Sequence, residues 1–95
     1  MSGRLLARTG ALAGADFTLA DSVRIGSGAD AEVRVDAPGV LPVHATITRA
    51  GDAVVLTANA AAATCLNGRR ITTERLQHLD VISVAPGVDL IYLST

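Results

Sequence analysis

A chain of 95 residues has room for one domain with one core, and 49% of it is hydrophobic, with a single Phe, a single Tyr and no Trp. Val, Leu, Ile and Ala must therefore fill that core, a composition that suits strands and excludes an aromatic-anchored fold. A net charge of −1, from 8 basic and 9 acidic residues, excludes the electrostatic footprint of a nucleic-acid binder or of a protein drawn to acidic membrane.

Strand signals recur at short intervals along the chain. Arg4-Leu5-Leu6-Ala7-Arg8 and Asp16-Phe17-Thr18-Leu19 read as a hairpin turning within residues 10–14. Ser22-Val23-Arg24-Ile25 alternates polar and apolar until Gly26 and Gly28 interrupt it. Glu32-Val33-Arg34-Val35 alternates again and stops at the turn cluster Asp36-Ala37-Pro38-Gly39. Residues 44–49 and 53–58 flank Ala50-Gly51-Asp52 as a second hairpin. Residues 58–63, with four consecutive alanines, are too short for a stable helix between strands and read as a loop. Thr64-Cys65-Leu66, Asn67-Gly68 and Arg69-Arg70-Ile71 carry the strongest hairpin signal, because Asn-Gly accepts the positive φ angles of a type I′ turn. Val81-Ile82-Ser83-Val84 and Asp89-Leu90-Ile91-Tyr92-Leu93 close the chain around Pro86-Gly87. Residues 1–95 thus read as one all-β domain, a sandwich or barrel of about ten or eleven short strands.

Candidates for chemistry are few. Cys65 is the only cysteine, which excludes an internal disulfide and fits a reducing, cytoplasmic compartment. Its apolar setting reads as a buried, inert thiol. No apolar run approaches the roughly 20 residues that span a bilayer, and Leu5-Leu6 is too short for a signal peptide. His44 has no Ser, Cys or second ligand at useful spacing, and His78, beside Gln77, reads as exposed. Asp80, opening a strand, is expected to bind nearby backbone amides. Arg69 and Arg70 read as solvated charges at a turn. There is no nucleophile–base pair, no metal-ligand cluster and no Gly-rich phosphate cradle at the start of a helix, so neither an enzyme nor a cofactor is expected.

One stretch says more. Residues 25–45, Ile-Gly-Ser-Gly-Ala-Asp-Ala-Glu-Val-Arg-Val-Asp-Ala-Pro-Gly-Val-Leu-Pro-Val-His-Ala, resemble without a gap the signature of the forkhead-associated (FHA) family. Gly26, Glu32, Val33, Val35, Asp36, Pro38, Val40, His44 and Ala45 fall on family positions. Thr64, Leu66, Asn67 and Gly68 match a second family motif, and Leu76 with Leu79-Asp80-Val81-Ile82 matches a third, with Leu79 where the family has Gly. The resemblance spans residues 22–93 and implies an FHA-like β-sandwich, mostly antiparallel, whose His44 is structural and whose loops at one end grip a phosphothreonine peptide.

The resemblance also marks where that grip is missing. The family's phosphate-binding Arg is Ser27 here, its Ser is Leu41, its second basic residue is Pro42, and its peptide-orienting Asn is Ala62. Asp30, Glu32 and Asp36 lie in the same loops, where a dianionic phosphate would lose hydration without replacement. The expectation is a phosphate-independent docking module of a bacterial signalling or assembly protein, contacting a protein partner through Ser27, Leu41, Pro42, Val43, Ala62 and Thr64. Gly26, His44, Asn67 and Gly68 belong to its structural motif. Two alternatives stand beside it: phosphopeptide binding through Arg24, Arg34 or Arg69-Arg70, and self-association, including a homodimer.

Overall fold

Alternation of apolar and polar residues, interrupted by turn residues, leaves the chain little choice but strands. The computed structural model describes residues 3–8 and 13–94. Among these the first five strands are β1 (Arg4–Ala7), β2 (Asp16–Thr18), β3 (Ser22–Gly26), β4 (Val33–Arg34) and β5 (Ala45–Ala50). The rest are β6 (Ala53–Ala58), β7 (Cys65–Leu66), β8 (Arg69–Arg70), β9 (Thr73–Arg75), β10 (Val81–Ala85) and β11 (Val88–Leu93). They form two sheets, ordered β2-β1-β11-β10-β7-β8 and β4-β3-β5-β6-β9. All pairings are antiparallel except β3 with β4.

The expected hairpins form around β5–β6, β7–β8 and β10–β11; the first turns through Gly51-Asp52 alone, one residue tighter than expected. Asn67 and Gly68 take φ of 53° and 83°, the left-handed pair that the β7–β8 turn requires. Most of the expected turn of the opening hairpin lies outside the described residues. Leu19, Glu32 and Val35 fall outside the strands expected to hold them. β4 shrinks to two residues because it runs parallel to β3 and is reached through a loop rather than a hairpin. β9 was not expected at all.

One core lies between the sheets. Leu5, Ile82 and Leu90 from the first sheet meet Ile25, Ile47 and Leu56 from the second, all fully buried. Each such side chain contributes about 1.5–3 kcal/mol by leaving water. Registers such as Ile47 opposite Leu56 keep the inward set together, since a one-residue slip would turn it outward. With the core holding both sheets, the loops at their ends are free to vary.

Candidate functional site

Antiparallel order brings the end of β3, the start of β5, the end of β6 and the start of β7 to one pole. Loops 27–32, 35–44 and 59–64 therefore meet there. The first two lie backbone on backbone. Ser27 N donates to Leu41 O at 2.9 Å and Gly28 N to Pro42 O at 3.2 Å. A Cβ at Gly26 would collide with the Pro42 carbonyl, so glycine is what allows this approach. Ser27 spends its hydroxyl in the same seam, donating to Val40 O at 2.9 Å.

His44 ties the second and third loops. Its ring is buried, at 2% exposure. Leu41 N donates to Nδ1 at 3.2 Å, so Nε2 carries the proton and donates to Ala63 O at 2.7 Å. Its backbone N donates to Ile25 O and its carbonyl accepts from Asn59 N.

Asn59 also braces this pole, although sequence reasoning gave it no role. Its Nδ2 donates to Val43 O at 2.7 Å, and its Oδ1 accepts from Ala61 N at 3.0 Å in an Asx turn that organises the alanine run. The signal was present: an Asn ahead of small residues is a turn former. On this frame Pro42 and Ala63 are exposed, Ser27, Leu41 and Ala62 are half-buried, and Val43 is 39% exposed. Thr64 is fully buried beneath them, its Oγ1 without a hydrogen-bond partner and its carbonyl accepting from Ile71 N.

The charges sort themselves clearly. Arg24 donates its backbone N to Glu32 Oε1 at 2.7 Å and its Nη2 to Oε2 at 3.0 Å. That side-chain bond, then the backbone amide, holds the Glu32 carboxyl down at about 2 and pushes the Arg24 guanidinium up. Arg24 is thereby committed to Glu32. Arg34 is exposed on β4. Arg70 instead lines a pocket of about 190 Å³ with Asn59, Ala62 and Thr72, beside the third loop. A larger groove, about 440 Å³, opens at the same pole between Gly39, His44, Ala63, Cys65, Val84 and Pro86. Cys65, expected to be buried, is half-buried in that groove because it faces away from the core that Thr64 and Leu66 enter.

The opposite pole holds the Asn67-Gly68 turn. Asn67 Nδ2 donates to Asp80 Oδ1 at 2.9 Å, its Oδ1 accepts from Val81 N, and Gln77 N donates to Asp80 Oδ2 at 2.7 Å. Asp80 thus binds a nearby amide as expected. His78 is exposed and accepts from Ser94 N at its Nδ1. Leu79, with φ +74°, is 61% exposed.

Among the described residues no helix is long and apolar enough to cross a membrane, and no three His, Cys, Asp or Glu gather as a metal site. No curated protein sequence matches the chain. Solved structures do. One, from a structural and functional study of phosphothreonine-dependent FHA domain interactions, is 27% identical with a TM-score of 0.89, covering 100% of this chain and 98% of that one. The FhaA FHA domain, solved in complex with the intracellular domain of Rv3910, is 28% identical with a TM-score of 0.85, covering 96% and 99%. The FHA domain of CT664 from Chlamydia trachomatis shares the fold at 20% identity and a TM-score of 0.88, covering 100% and 99%. The FHA domain family model matches residues 23–85, and the chain belongs to that family, whose domains are generally protein–protein interaction modules.

Proposed function

We propose that residues 1–95 form a phosphate-independent docking domain, without enzymatic activity or cofactor, acting in the cytoplasm as part of a bacterial signalling or assembly protein. The carrying observation is what stands at the family's four phosphopeptide positions. Ser27 is occupied in the loop seam, and Leu41, Pro42 and Ala62 offer no donor side chain to a phosphate. The pole is nonetheless braced by His44 and Asn59, so it presents a rigid apolar tip of Leu41, Pro42, Val43 and Ala62. Bound peptide then loses little entropy to ordering the loops. Thr64 supports this tip from beneath. That a 28% identical relative was solved with a protein domain bound supports the docking part of the reading.

Selection from a displayed library of unphosphorylated peptides tests it. Peptides should be enriched whose affinity drops about tenfold or more on Val43→Asp, a change at an exposed position that leaves folding intact. No enrichment, or enrichment indifferent to Val43→Asp and Leu41→Asp, would refute the assignment. The Arg70 pocket favours one second reading, a phosphopeptide gripped from the β8 side instead. Under it, Arg70→Glu abolishes binding that depends on the phosphate.

A further inference from the structure

Arg4 and Arg24 each hold a carboxylate of the chain itself, Asp16 at 2.7 Å and Glu32 at 3.0 Å. Arg70 pairs with no acid among the described residues, and it lines the cavity of about 190 Å³ beside the third loop. The rest of that wall is uncharged: alanines and Ile71, with Asn59 and Thr72. Asn59 already spends its amide on Val43 and Ala61. The guanidinium, on a flexible stem within reach of so small a cavity, is therefore its one ionic donor. The volume is about six waters' worth, enough for a carboxylate side chain.

Charge decides the occupant. One guanidinium fork matches one carboxylate, bond for bond and charge for charge. A dianionic phosphate would keep charge uncompensated against alanine walls, at a desolvation cost. Position adds that the carboxylate comes on a peptide. Ala62 belongs both to this wall and to the apolar tip, so a chain lying on the tip passes the cavity. Leu66 and Arg69 close the β7–β8 turn, and Ile71 N donates to Thr64 O, so the Cys65–Arg70 pair between them is of the non-hydrogen-bonded kind. The Arg70 amide thereby turns to the open edge of β8, the last strand of its sheet, where an extended chain can pair. We propose that the Arg70 cavity takes the side-chain carboxylate of an Asp or Glu in an unphosphorylated peptide docked on the tip. This rests on the docking reading above and adds a sequence requirement to it: an acidic residue at a fixed spacing from the apolar one that meets Val43.

Peptides selected on the wild type from an unphosphorylated library should carry Asp or Glu at one fixed position. Changing that acid to Asn or Gln should weaken binding about tenfold, as should Arg70→Met, which keeps the stem but not the charge. The two changes together should weaken binding little more than either alone. A peptide with Lys at that position should bind Arg70→Glu more tightly than it binds the wild type, a reversal that a structural role for Arg70 would not give. Arg69→Met, next in sequence but off the cavity wall, should keep affinity within about twofold. Selected peptides that respond to Val43→Asp but share no acidic position, or that bind Arg70→Met as tightly as the wild type, would overturn this inference and leave the docking reading in place. Enrichment of no peptide would overturn both. Arg70-dependent binding confined to phosphorylated peptides would overturn the carboxylate in favour of a phosphate.

Discussion

Two residues carry free energies that their neighbours make easy to read. Thr64 buries a hydroxyl that finds no partner, and an unsatisfied polar group in a core costs about 1–3 kcal/mol. Valine has the same branched shape without the oxygen. Thr64→Val should therefore stabilise the domain by about 1 kcal/mol in urea unfolding, and a loss of stability would reveal a bond to that hydroxyl. Glu32 is governed by Arg24. Its folded pKa of about 2 lies below the ordinary 4.5, so its contribution is complete above pH 4.5 and disappears as pH falls toward 2. Carboxyl NMR shifts should place the Glu32 midpoint near 2 in the wild type and higher in Arg24→Ala, though still below the ordinary value because the residue-24 amide keeps its bond to the carboxylate. An unmoved midpoint would show that the pair does not control it.

At the scale of elements, each pole is held by polar side chains that link segments distant in sequence. Asn67→Ala removes two side-chain bonds, to Asp80 and Val81, and places a Cβ-bearing residue without Asn's tolerance at φ 53°. A destabilisation of about 2 kcal/mol is expected. His44→Ala strips the loop pole of its bonds to Leu41 and Ala63 and leaves a cavity, which should cost about 3 kcal/mol in the same assay. Amide exchange should then quicken in residues 40–44 and 59–63 before the sheets are affected; uniform acceleration would argue against a local tie. These local devices were what the sequence made legible. Asn67-Gly68, Pro86-Gly87 and period-two alternation act within a few residues, so three hairpins could be read directly. β9 could not, since Thr73-Glu74-Arg75 is polar, sits on a sheet edge and owes its existence to β6. Nor could the parallel pairing of β3 with β4, which depends on a loop folding back. The turn at Asn59 was signalled by the small residues after it, but its bond to Val43, 16 residues away, was not.

For the molecule as a whole, the proposed function requires that the fold and the surface chemistry have separated. A core of Leu, Ile and Val holds the two FHA sheets in register, and Gly26, His44 and Asn59 still assemble the loops at one pole. By the resemblance alone, the positions that in the family meet a phosphate are Ser27, Leu41, Pro42 and Ala62: a gap-free 21-residue match sets the first three, while the alanine run does little to fix the register of the fourth. What these loops present to solvent was not legible, because exposure at loop tips depends on how three loops stack. The most direct measurement is the affinity of the domain for a phosphothreonine peptide library before and after phosphatase treatment. The wild type should show no phosphate-dependent binding, while the combined Ser27→Arg, Leu41→Ser, Pro42→Arg and Ala62→Asn variant gains it, on the order of micromolar, through charge-assisted contacts. Wild-type binding in that range that vanishes on dephosphorylation would contradict the account.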